Sequence, residues 1–168
     1  MKQSALLILT AAICGFAADT GSTGAVDVKA AFSRLKSLVG EWEAKTSNGT
    51  ERLSYELIAG GTALVERETA DGRAAMLTVY YIDGNRLMLT HYCMAGNQPR
   101  MQARRFDPNT GMLRFEFVDA GNLAGKDAGH MHNASLRLVD QGHLTADWEF
   151  YEGGKSKFTE SAQYSRVR

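Results

Sequence analysis

In His91-x-Cys93 and His130-x-His132, histidine and cysteine side chains able to ligate a metal or act on a substrate recur two residues apart. In an extended segment, residues i and i+2 share a face, so each pair sets two reactive groups side by side. Imidazole together with thiolate suits zinc or copper, and the two pairs brought together would make such a site. Cys93 is also a candidate nucleophile, with His91 or a histidine of the second pair as its base. Same-strand neighbours stand roughly 6–7 Å apart, which makes His91 an awkward base for Cys93. No oxyanion-hole motif stands beside the cysteine, so binding is expected ahead of catalysis. The plainest reading makes all four satisfied polar residues beneath loops, with Cys93 a small buried hydrophobe.

Which reading holds depends on the elements that position these residues. Val28, Phe32, Leu35 and Val39 recur at helical spacing behind Asp27, a capping residue, and Gly40 ends the run. Beyond Gly40 the period becomes alternating. Strand-like runs are EWEAKTS, ERLSYELIA, TALVERET, RAAMLTVYYI, NRLMLTHYC, PRMQARRF, MLRFEFV, HMHNASLRLV, HLTADWEFY and KSKFTESAQYSRV. Turn signals separate them, among them Asn48-Gly49, Gly60-Gly61, Asp71-Gly72, Asp83-Gly84, Gln141-Gly142 and Gly153-Gly154. The pattern predicts an all-β domain over 27–168: about ten antiparallel strands in a meander, closed into a barrel so that no long edge stays exposed, with one N-terminal helix.

Alternation also assigns faces. Leu53, Tyr55 and Leu57 share one; so do Leu113, Phe115 and Phe117, and Ala146, Trp148 and Phe150. Leu87 and Leu89 lead to His91 and Cys93; Leu138, Leu136 and Ala134 lead to His132 and His130. Unless a bulge intervenes, all four polar groups point inward. In a meander the end of the fifth strand and the start of the eighth lie at one rim, which also receives the loops 94–98 and 119–129. Long loops on a rigid scaffold are where binding concentrates, and the glycines of 119–129 suit a mobile flap. Asn97, Gln98 and Arg100 lie within reach of a ligand there. Glu160 follows an inward parity, with Arg105 as its expected partner. Glu66 and Glu68 are expected to face solvent.

LVGEWE (38–43) carries the Gly-x-Trp that opens the first strand in lipocalins, and Arg166 stands where a late arginine packs on that tryptophan. The chain therefore resembles the lipocalin-like barrels, and its strand number places it nearer to nitrobindins and fatty-acid-binding proteins. With LTHYCMAGNQPRM (89–101) and HMHNASL (130–136) it also resembles a family of exported bacterial proteins of unknown function. The resemblance implies structural roles for Gly40, Trp42 and Arg166. Nitrobindins hold haem through a histidine late in the chain; here the last histidine is His143 and the final strand has none, so haem is not expected.

The first 17 residues have the charged, apolar and small-residue regions of a signal peptide, with cleavage placed after Ala17 and a flexible leader over 18–26. The apolar run from Ala5 to Ala18 falls short of the roughly 20 residues that span a bilayer. Cys14 offers a lipid anchor as the lesser alternative. The chain holds 19 basic and 19 acidic side chains, and loss of Lys2 leaves a formal charge of −1. That balance gives no surplus for a phosphate backbone and argues against nucleic acid. Cys93 is then the only thiol in an oxidising compartment and has no internal partner. The expectation is an exported, periplasmic or extracellular barrel that binds a small, partly apolar molecule. Tyr55, Phe115, Phe117, Trp148 and Phe150 would line it, with polar contacts from His91, Cys93, Arg100, His130 and His132. A zinc or copper protein or thiol enzyme using His91, Cys93, His130 and His132 is the second reading. A filled barrel acting through contacts with another protein is the third.

Overall fold

A computed structural model describes residues 25–46 and 49–167. The predicted signal peptide, Cys14, most of the leader and Asn48 lie outside the described residues. Helix α1 covers Val28–Lys36, and its first free N–H groups are capped by Asp27, whose carboxylate accepts from Ala30 N at 2.9 Å. Ten strands follow: β1 (Gly40–Thr46), β2 (Gly49–Ile58), β3 (Ala63–Ala70), β4 (Arg73–Asp83), β5 (Arg86–Tyr92), β6 (Gln98–Asp107), β7 (Met112–Gly121), β8 (His130–Leu138), β9 (His143–Glu152) and β10 (Lys155–Arg166). Each pairs antiparallel with the next, and β1 pairs with β10 to close the barrel. Gly40 opens β1 rather than ending the helix, and Leu38, not Val39, is the buried residue that links them.

The two ends of the barrel differ. At the lower end α1 buries Ala31, Phe32 and Leu35 against the interior, and Arg34 Nη2 donates to the Leu138 carbonyl at 2.9 Å. Above this plug the core is filled by Trp42, Leu64, Tyr80, Leu87, Leu89, Met101, Leu113 and Phe115, all buried. The upper end carries the β5–β6, β7–β8 and β9–β10 connections, which brace one another. Asn97 Nδ2 donates to Gly129 O at 2.8 Å, Asn122 Nδ2 to Gly96 O at 2.6 Å and Gly153 N to Asp127 O at 2.9 Å. Of residues 119–129, expected as a mobile flap, 119–121 belong to β7 and the rest is held at these three points.

Closure depends on one arginine. The Arg166 guanidinium lies 4.2 Å from the centre of the Trp42 ring. It donates from Nη1 to Val39 O at 2.7 Å, from Nη2 to Ser37 O at 2.8 Å and from Nε to Gln141 O at 2.8 Å. The register of β1 on β10 covers only Trp42↔Arg166 and Glu43↔Ser165. Gly40 is required here: its φ is +123°, and a Cβ would stand 2.9 Å from Arg166 Nη1. Trp42 is fully buried, and its indole N–H donates to Leu38 O at 2.7 Å. Arg166→Ala is expected to destabilise the barrel by about 2–3 kcal/mol through loss of the fork and the ring contact, and Arg166→Lys to restore little of it because an ammonium has no planar fork. Urea unfolding of the two variants checks this; a change near zero for Arg166→Ala would show that the seam closes without it.

Candidate functional site

Above the filled core lies an open-mouthed cavity of about 580 Å³. It is lopsided. Its lining comes from β1–β5, β8, β9, β10 and the Cys93–Ala95 turn, and no residue of β6, β7 or the 122–129 loop contributes. One wall, built by β2, β3 and β10, carries Glu51, Glu66, Glu68, Glu160 and Tyr164. The facing side carries His91, Cys93, Met131, Trp148 and Phe150. His91 and Trp148 come from strands that are not neighbours, yet their ring centres lie 4.6 Å apart.

Glu66 and Glu68 face inward, not solvent as expected. The Gly60-Gly61 turn sets a register in which Glu68 lies opposite Leu53 and Glu66 opposite Tyr55, and residues directly opposite on an antiparallel pair share a face. Leu64 and Val65 are both buried, so the strand's own pattern admits either phase. The cross-strand register carried the signal that the single strand lacked.

Burial of these carboxylates controls their titration. Glu66, 4% exposed, accepts from Tyr80 Oη at 2.7 Å and is flanked by the Tyr55 and Thr78 hydroxyls. Desolvation raises its pKa, and the three hydroxyls oppose the rise. Glu68 is pushed up to about 8, first by burial and then by Glu66, Glu51 and Glu160. Glu160 at the rim is raised by burial and by Glu51. The Tyr164 hydroxyl donates to Glu51 Oε2 at 3.0 Å, and burial together with the carboxylates holds it well above the ordinary tyrosine range.

On the facing side, burial pulls His91 down to about 4, so the ring is neutral at pH 7. Its Nδ1 lies 3.0 Å from Thr78 Oγ1, and its Nε2 has no hydrogen-bond partner. Cys93 is half-buried. Its Sγ accepts from Ala95 N at 3.5 Å, and burial pushes the thiol up, which keeps it protonated rather than nucleophilic.

His130 and His132 take a different place from the one their parity predicts. A bulge between Met131 and Asn133 shifts the register of β8 on β9, and Met131 takes the cavity-facing position. His132 is stacked between Phe117 (4.8 Å) and Tyr151 (4.1 Å), and its Nδ1 lies 3.0 Å from His130 Nε2. His130 Nδ1 lies 2.8 Å from the Ala128 carbonyl, which can only accept, so Nδ1 carries the proton and Nε2 accepts from His132. The second pair is thus bonded to itself and to the Ala128 carbonyl. Among the described residues no hydrogen bond or ring contact joins it to His91 and Cys93, and no three His, Cys, Asp or Glu side chains are arranged to hold a metal ion.

The remaining expected residues divide. Trp148 and Phe150 line the cavity; Tyr55 and Phe115 lie in the filled core below it, and Phe117 packs on the histidine pair. Arg100 points outward and pairs with Asp119, Nε to Oδ1 at 2.6 Å, so it does not reach the interior. A bulge between Ala103 and Arg105 turns Arg105 outward and gives its place to Phe106, so Glu160 has no arginine partner. No protein-family model matches the chain, and no curated protein sequence is significantly similar to it. The class is therefore defined by its structure: a closed ten-stranded antiparallel barrel, plugged below by a helix and hollow above, with an acidic wall facing an aromatic one.

A carboxyl whose folded pKa lies above its unfolded value contributes stability that is present below the unfolded pKa and lost as pH rises through the folded one. For Glu68 that window runs from 4.5 to about 8. Glu68→Gln is expected to match the wild type in melting temperature at about pH 5 and to exceed it increasingly toward about pH 8.5. Parallel thermal melts check this; curves that stay superimposed would mean that Glu68 ionises freely.

Proposed function

We propose that this protein binds a small, partly apolar molecule within the upper half of its barrel. The observation that carries the reading is the cavity itself. At about 580 Å³ it falls inside the range of about 300–1,000 Å³ typical of small-molecule sites, and it sets an aromatic, apolar wall against one that carries polar groups. Phe150 rests on Gly129, where any Cβ would stand 2.5 Å from its ring, and stacks on Phe158 with ring centres 4.9 Å apart. These contacts fix an aromatic shelf at the entrance, which supports a ligand with a flat or bulky apolar part.

The latch of Gly40, Trp42 and Arg166 and the helix-plugged floor support kinship with lipocalin-like barrels, nearer the nitrobindins and fatty-acid-binding proteins in strand number. The basic and apolar N-terminal segment supports export, and with it the role of a periplasmic or extracellular carrier. Function here rests on the cavity and not on the likeness of fold.

Ala162 lies opposite Ala146 on β10 and β9, and both line the cavity. Ala162→Trp is expected to fill it and Trp148→Asp to make its wall polar. Each should weaken binding of Nile red, an uncharged fluorescent probe, by about tenfold or more. Circular dichroism confirms the fold of each variant. Nile red affinity unchanged in both would overturn an internal binding site.

A further inference from the structure

Four glutamates line the cavity and no lysine or arginine does. Glu51 and Glu66 are supplied with tyrosine donors. Glu68 and Glu160 receive no side-chain hydrogen bond among the described residues, although Glu68 is largely withdrawn from water. A carboxylate in that position needs a positive partner or a proton.

A second observation comes from the opposite wall. His91 is 2% exposed and lines the cavity, yet its Nε2 has no partner. Its Nδ1 lies 3.0 Å from the Thr78 hydroxyl. Among the described residues, Glu68 and Glu160 on one wall and His91 Nε2 on the other thus have no side-chain hydrogen-bond partner. They are spread between two walls instead of converging, and no metal-binding arrangement is present among the described residues. A group with several N–H donors satisfies such a layout better than a point cation. Met131, Trp148, Phe150 and Phe158 supply apolar surface beside it, and aromatic faces also attract a cation.

Resting on the reading of the cavity as a ligand site, we infer that its occupant is an organic cation: a protonated primary amine attached to an aromatic or bulky apolar body. The ammonium lies against Glu68 and Glu160, across from the wall that carries His91, and the apolar body lies against Trp148 and Phe150. A carboxylate-bearing ligand is repelled by the acidic wall, and an uncharged one leaves those two glutamates unpaired.

Proton linkage follows. The titratable groups around Glu68 are Glu66 on its own strand, Glu51 from β2, Glu160 and Tyr164 from β10, and His91 and Cys93 from β5 and its turn. With Glu68 protonated at neutral pH, capture of the ammonium drives its carboxyl proton into solvent. Affinity for the cation therefore rises with pH through about 8.

Calorimetric titration of the purified chain with three probes of one shape tests this: tryptamine (cationic), 3-ethylindole (neutral) and indole-3-propionate (anionic). Tryptamine is expected to bind at least about tenfold more tightly than 3-ethylindole, with indole-3-propionate weakest. Glu68→Gln is expected to erase most of tryptamine's advantage over 3-ethylindole and its pH dependence. Equal binding of tryptamine and 3-ethylindole, or tryptamine affinity unchanged in Glu68→Gln, overturns the cation while leaving the cavity standing. Binding of none of the three, together with loss of the Nile red response, overturns both.

Discussion

Everything above the floor of this barrel depends on how β10 is returned to β1. A sheet of ten strands has two edges, and closure must join them at a cost in chain entropy that few contacts repay. Here the join is short, and a planar cation does what a long ladder would otherwise do. Arg166 covers the buried Trp42 ring and satisfies carbonyls from three separate segments, the end of α1, the approach to β1 and the β8–β9 turn. Gly40 is the space that the guanidinium needs. Because this latch sits at the helix-plugged end, core packing is concentrated there and relaxes upward. Tyr80 and Phe115, with ring centres 5.8 Å apart, fill the middle, and the hollow part begins where the latch no longer reaches.

The hollow is electrostatically expensive. Burying several carboxylates without a basic residue among the cavity-lining side chains opposes folding, and the protein offsets it only in part. Hydroxyl donors from Tyr80 and Tyr164 serve Glu66 and Glu51, and Glu68 and Glu160 are left without one. A wall of alanine or leucine would fold more readily. Groups that cost stability and sit together in a cavity are the usual mark of a site shaped by what it must hold. The histidine pair on β8 shows the contrasting outcome: two imidazoles satisfy one another and the Ala128 carbonyl between aromatic rings, and they project no reactivity into the interior.

Much of this was legible in the chain. Alternation and glycine turns gave all ten strands, and meander logic placed the Cys93–Asn97 turn and the start of β8 at one rim, because both signals are local and repeated. Three of the misassignments share one physical origin. His130, His132 and Arg105 were placed by counting in twos, and one extra residue in β8 and another in β6 reverses that count. No composition signal announces a bulge. The acidic wall was hidden differently: Glu66 and Glu68 carry charges, and the expectation that charge faces water outweighed the register of their own hairpin. Sequence patterning follows the commonest energetic solution, so it fails where a group is held against its solvation preference.

The shortness of the seam has a further consequence. Above Ser165 the outer half of β10 is laddered to β9 but not, among the described residues, to β1. That half forms a lateral leaf beside the acidic wall. Across that gap the Tyr164 hydroxyl donates to Glu51 Oε2 of β2 at 3.0 Å. Lys155 and Lys157 stand on the same free edge, and their charge discourages another strand from docking there. The latch thus closes the base of the barrel while β10 keeps an unladdered upper edge toward β1.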